Sequence, residues 1–169
     1  MAAPVTEGYT MAEELSRSTK KIREALSALG AAFEVRELPD STRTAVDAAG
    51  AIGCSVEQIA KSIVFRTAAG KDPVMVIASG VHRINEKKVA DAIGEAIEKA
   101  DADFVREKTG FSIGGVPPIG HASPIPVLID EDLLTHGDIW AAAGTPHSVF
   151  RISADGLVKI TNGKVISVV

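Results

Sequence analysis

The chain has 169 residues, enough for one domain whose core needs no disulfide support. Hydrophobic residues make up 46% and charged residues 24%, which excludes a disordered chain, and aromatics at 4% leave Ala, Val and Ile to fill the core. The net charge of −4 excludes tight, sequence-independent binding along a nucleic-acid backbone, so no DNA partner is expected, while a grip on the tip of an RNA stays open.

Residues 1–10 read as a flexible N-terminal arm, and 11–169 as a single domain. From Met11 to Leu29, Leu15, Ile22, Ala25, Leu26 and Leu29 share one helical face, with Gly30 as the stop. Phe33 to Leu38 alternates like a strand that Pro39 ends. Thr44 is a candidate cap for a short helix through Val46, Ala48, Ala49 and Ile52, with Gly53 at its end. Ile59–Arg66 and Pro73–Ser79 read as buried strands. Helices are expected at Asn85–Ala92 and Ala102–Lys108, the second capped by Asp101 and stopped by Gly110. A Gly/Pro loop runs from Phe111 to Pro126. Val127–Asp130 is a short strand, and Asp130-Glu131-Asp132 reads as a helix start. Strands are expected at Ile139–Ala143, Ser148–Ile152 and Lys164–Val169, with a short helix at Ala154–Leu157. This irregular interleaving predicts one mixed α/β (α+β) domain without a doubly wound rhythm.

Lys61 shares a strand face with Ile59, Ile63 and Phe65. An ammonium there must snorkel out at the strand's frayed start, find a partner, or line a polar pocket suited to an anionic or carbonyl-bearing ligand. The second feature is Gly114-Gly115-Val116-Pro117-Pro118-Ile119-Gly120-His121. Adjacent glycines allow close approach to a ligand, and the free amides of Gly114, Gly115, Val116, Ile119 and Gly120 could hold an oxyanion if they converge. The alternative is a stiff connection between a helix and a strand. No Gly-Lys-Ser/Thr follows, so this is not a phosphate-binding loop. The third feature is Ala143-Gly144-Thr145-Pro146-His147, which reads as a tight turn placing Thr145 and His147 at a sheet end, in a pocket or at an exposed hairpin tip.

The four histidines show no paired zinc spacing and there is no second cysteine, so no metal is expected. His121 and His147 are candidates for acid, base or donor roles. His82 and His136 read as surface residues, and Cys54 as a buried, inert thiol. A lone cysteine suits a reducing compartment, and no signal or membrane-length apolar run is visible. A cytoplasmic protein without a membrane partner is therefore expected.

Together the motifs resemble the YbaK/ProX family. Thr42-Arg43-Thr44-Ala45-Val46-Asp47-Ala48-Ala49 resembles its Thr-x-Thr-x-x-x-Ala-Ala segment. Gln58 to Phe65 resembles its lysine strand, Gly114 to Pro118 its Gly-x-x-x-Pro loop, and Ala143 to His147 its second glycine turn. The resemblance implies a barrel-like mixed sheet surrounded by helices. It implies hydrolysis of aminoacyl esters on mischarged tRNA, often tRNA(Pro) carrying Ala or Cys. It makes Lys61 the principal functional residue and gives backbone amides of Gly114, Gly115 and Val116 a place near the scissile carbonyl. No cofactor follows. The expected partners are the acceptor end of mischarged tRNA and a prolyl-tRNA synthetase, with the protein a monomer or weak homodimer. Thr42, Thr44, Val46, Ile63, Phe65 and His147 are the expected pocket wall. Pro117, Pro118, Gly120, His121, Gly144 and Thr145 complete the substrate-binding set. The competing expectation is a non-catalytic aminoacyl-tRNA or nucleotide-binding module that regulates a synthetase.

Overall fold

The computed structural model describes residues 11–29, 33–39, 42 and 44–169. The predicted arm at 1–10, Gly30, Arg43 and the side chain of Leu15 lie outside the described residues. The elements in chain order are α1 (Met11–Ala28), β1 (Glu34–Glu37), α2 (Ala45–Ile52), β2 (Ile59–Thr67), β3 (Pro73–Ser79), α3 (Glu86–Ile93) and β4 (Ile97–Lys99). They continue with α4 (Ala102–Thr109), β5 (Val127–Asp130), β6 (Asp138–Ala142), β7 (Ser148–Ser153), α5 (Ala154–Thr161) and β8 (Lys164–Ile166). Short 3-10 helices cover Val56–Gln58 and Glu131–Thr135.

Local chemistry fixes the helix ends. Thr44 accepts from Asp47 N–H at 3.1 Å while Asp47 accepts from Thr44 N–H at 3.2 Å, a reciprocal capping box. Asn85, Asp101 and Ser153 cap α3, α4 and α5 through side-chain oxygens. Each such cap contributes about 1 kcal/mol.

The strands form one mixed sheet in the order β1-β7-β6-β2-β3-β5-β8, with β4 added to β2. Both faces are covered. On one, Ile22 and Leu26 of α1, Val105 of α4 and Leu157 of α5 bury Met75, Ile77, Ile129 and Phe150. On the other, Val89 of α3 packs with Phe65, Val76, Ala78 and Leu128. Ala48 and Ala49 of α2 pack with Ile59, Trp140 and Val149. Their small side chains let the α2 backbone approach the sheet, which is how a chain poor in aromatics fills its interior. Truncating a large buried side chain such as Phe150 would cost about 3–5 kcal/mol.

β2 lies in the middle of the sheet. It pairs with β3 along Ala60–Arg66. On its other side it pairs first with β6, at Ile59 and Ala60, then with β4, from Phe65 to Thr67. Between these two partners the sheet parts.

Two features differ from expectation. The last strand is shorter than Lys164–Val169 because β8 meets β5 only as far as Asp130↔Ile166, where the following 3-10 helix turns β5 away. Val168 then tucks under α3, and its carbonyl accepts from Asn85 N–H at 2.7 Å. β4 is the second: no local signal announces it, and it holds its place by pairing with β2 and by the Arg66–Glu98 ion pair at 3.0 Å.

Candidate active site

A cleft of about 580 Å³ opens where β2 loses its strand partner. That size suits a small ligand or the end of a chain, not a duplex. All seven residues from Ile59 to Phe65 line it. Thr42, Thr44, Ala45 and Ala48 form one wall and Arg83, Ile84 and Glu86 another. Gly114 and Val116 reach in from the Gly/Pro loop, and Thr145 and Pro146 from the second glycine turn. Residues from all four motifs of the sequence therefore meet in one place.

Lys61 is half-buried between the cluster under α2 and the cluster under α3. Burial pushes its ammonium below the ordinary 10.5, and the negative charge of Asp130 partly offsets this. The strand register explains the pairing: Lys61 sits opposite Ala78, and Ile77 opposite Ile129, so Asp130 lies two strands away. Asp130 is fully buried and accepts from Ser79 N–H at 3.0 Å and Asp132 N–H at 2.9 Å.

His82, expected at the surface, is instead half-buried, with Nδ1 2.6 Å from Asp130 Oδ2 and Nε2 3.4 Å from Asp132 Oδ2. A buried carboxylate needs such partners. Among the described residues this trio alone brings three metal-capable side chains within 4.8 Å, and hydrogen bonding accounts for the arrangement. His136 is also half-buried. Cys54 is half-buried beside the α2 cluster, and burial pushes its thiol up, which keeps it protonated and unreactive.

The Gly/Pro loop is shaped by two close contacts. Gly114 has φ of +91°, a conformation that favours glycine. A Cβ on Gly115 would lie 2.6 Å from the main chain of Thr145, so only glycine lets the two turns touch. Gly115 N–H donates to Ser112 C=O at 3.0 Å and is already engaged. Ile113, Gly114 and Val116 are the loop residues that line the cleft.

Other expected residues stand outside the cleft. Pro117 and Pro118 are buried behind it. His121 Nε2 lies 2.7 Å from Pro117 C=O and braces the loop from the rear. Burial lowers the His121 pKa below 6.5, against the Pro117 bond, with the Lys21 charge adding to the lowering. Gly120, His121 and Pro118 line a separate hollow of about 370 Å³. Val46 is 66% exposed on the outer side of α2. Gly144 packs against α1, where a Cβ would meet Ser18 C=O at 2.7 Å. Thr145 Oγ1 pairs with Ser148 Oγ at 2.8 Å and accepts from His147 N–H at 3.1 Å, which fixes the turn. His147 is half-buried without lining the cleft, and its Nδ1 has no partner among the described residues. Thr42, Thr44, Ile63 and Phe65 line the cleft as placed by their motifs.

Three lining residues carry no signal in the sequence. Arg83 and Lys99 are exposed at the mouth, and neither forms a salt bridge among the described residues. They come from a loop and from the unforeseen β4, so no motif marks them. Ser62 has a buried hydroxyl with no partner among the described residues. Only its place next to Lys61 sets it apart.

In this mixed α/β domain a half-buried lysine, two residues of the glycine loop and the exposed cations Arg83 and Lys99 thus border one cleft of small-ligand size. Likeness to known proteins narrows this. Residues 39–160 match the aminoacyl-tRNA editing domain, and the chain belongs to that family. It is 30% identical over 148 residues to the uncharacterized protein YwhH of Bacillus subtilis (strain 168), covering 88% of this chain and 94% of that one. It is 31% identical over 102 residues to a proline–tRNA ligase of Xanthomonas campestris, covering 60% of this chain and 18% of the ligase. Among solved structures, a proposed trans-editing enzyme for prolyl tRNA synthetase superposes with a TM-score of 0.86 at 42% identity, over 91% of this chain and 98% of that one. The hypothetical protein APE2540 gives a TM-score of 0.81 at 28% identity, over 88% of this chain and 98% of that one.

Proposed function

We propose that the protein hydrolyses the aminoacyl ester of mischarged tRNA, acting in trans on tRNA(Pro) that carries Ala, Cys or a similarly small amino acid. The observation that carries this reading is the convergence of Lys61 with Gly114 and Val116 on one cleft of about 580 Å³. Ester hydrolysis builds negative charge on the carbonyl oxygen. Fixed main-chain N–H donors stabilise that charge without reorganising, and removing one such donor typically slows a reaction by about 10²–10³. The attacking oxygen comes from water or from the neighbouring ribose hydroxyl of the terminal adenosine. The carbonyl carbon gains that oxygen and releases the ribose oxygen, which takes up a proton. With a ribose attacker, water then completes the release of the free amino acid.

Lys61 supplies positive charge to the substrate carbonyl or to the terminal phosphate. Arg83 and Lys99 extend that charge along the mouth, where the 3′ strand enters. The overall charge of −4 limits affinity for the rest of the tRNA, which suits delivery by a prolyl-tRNA synthetase.

The test is release of amino acid from Ala-, Cys-, Ser- and Thr-tRNA(Pro) by the wild type beside Lys61→Ala. Release that depends on Lys61 supports the reading. Binding of aminoacyl-tRNA without release, with and without the synthetase, would replace it with a non-catalytic module.

A further inference from the structure

β2 carries a stretch that no strand covers. β6 leaves it after Ala60 and β4 joins it at Phe65, so among the described residues no strand pairs with Lys61–Val64 on that side. The cleft occupies the gap. Side chains on a strand alternate between faces, yet seven consecutive residues of β2 line this cleft. An unbroken run of that kind means the cleft meets β2 at its edge.

The direction of the main chain there follows from its neighbours. Gly80 N–H donates to Ile59 C=O at 2.7 Å on the β3 side, and Ala68 N–H donates to Ala96 C=O at 2.9 Å on the β4 side. Along an extended strand successive residues point their N–H and C=O to opposite sides. Odd-numbered residues of this stretch therefore face β3, and Ser62 and Val64 face the gap. A bare edge is a row of donors and acceptors that calls for a partner. Ser62 also holds the buried hydroxyl without a partner among the described residues.

We propose that the open edge of β2 is the seat of the aminoacyl group, with the main-chain carbonyl of Ser62 accepting a hydrogen bond from the substrate's α-amino group. The inference rests on the reading of the cleft as an aminoacyl-ester site. A free α-amino group offers donors to a strand-edge carbonyl, and its ammonium form makes the stronger, charge-assisted bond. Recognition through main chain leaves the amino-acid side chain free to vary. The site thus reads an unblocked amino acid first, and its size second.

The test uses hydrolysis-resistant adenosine analogues with a 3′-amide in place of the ester, titrated against the full chain. One carries an alanyl group and the other a propionyl group, which lacks only the amine and so introduces no bulk. The alanyl compound should bind at least tenfold more tightly, and it should slow amide hydrogen exchange at Ser62 and Val64. Equal affinities, no binding by either compound, or unchanged exchange at both residues would overturn the proposal. Binding is read without turnover. Tight alanyl binding by a protein that releases no amino acid from tRNA would retain this inference and refute the hydrolase.

Discussion

Gly115 and Thr145 touch backbone to backbone: a Cβ at Gly115 would lie 2.6 Å from both the Cα and the carbonyl carbon of Thr145. Although far apart in sequence, the two turns form one wall of the cleft because Gly115 has no side chain in the way. Gly115→Ala should force them apart and misplace the amides of Gly114 and Val116. We expect a stability loss of about 1–3 kcal/mol from overpacking. Deacylation should fall by roughly 10²-fold, because small displacements at a reacting centre are that costly. Thermal melting and single-turnover deacylation check the two effects together.

Lys61 should oppose folding while it serves the site. Burial lowers its pKa below 10.5, so between the folded and unfolded values the unfolded chain holds the proton more tightly. Stability contributed by this residue is therefore least at neutral pH and rises as pH climbs through the folded pKa towards 10.5. Lys61→Met should melt at the same or a higher temperature than wild type at neutral pH, with the difference shrinking in alkali. Melting curves taken from neutral to alkaline pH show whether the gap closes.

Much of this was legible in the sequence, for physical reasons. Capping signals at Thr44 and Asp101 and apolar runs at Ile59, Pro73 and Val127 are local, and the elements start where those signals sit, whereas the caps at Asn85 and Ser153 emerge only in the structure. β4 has one apolar residue, Ile97, in three positions, and only its tertiary partner β2 makes it a strand. The site was legible as four motifs but not as a shape. The gap in β2 pairing, the cations Arg83 and Lys99 at its mouth and the burial of His82 depend on which strands meet, and periodicity carries no record of that. Val46 shows the reverse: it sits inside a site motif, yet its helical phase turns it 66% exposed to solvent.

Asp130 should set the working charge of Lys61. Its carboxylate raises the lysine pKa against the lowering by burial. Asp130→Asn should let that pKa fall further, so the alkaline limb of the deacylation profile moves to lower pH. Asp130→Ala should in addition leave the Ser79 N–H buried and unpaired and the Asp132 N–H without its acceptor, at a cost of about 3 kcal/mol. A pH–rate profile for the first variant and a denaturant titration for the second separate the electrostatic effect from the structural one.

Arg83 and Lys99 should act through phosphate. Changing either to Gln should weaken tRNA binding for every amino acid alike and flatten the dependence of log affinity on log salt by about 0.7 for each phosphate left without its cation. The rate at saturating substrate should stay near wild type. A salt series of binding isotherms tests this; an unchanged slope in both variants places the tRNA elsewhere.

Whether Lys61 and the Gly114–Val116 loop form a site that cleaves aminoacyl esters is decided most directly by one rate. It is the release of amino acid from Ala-tRNA(Pro) and Cys-tRNA(Pro) by wild type and Lys61→Ala at matched, folded concentrations. The predicted result is release by the wild type and a loss on the order of 10²-fold in the variant, whose melting temperature is not lowered. Equal rates for the two proteins, or no release from either tRNA in the presence of prolyl-tRNA synthetase, would contradict it.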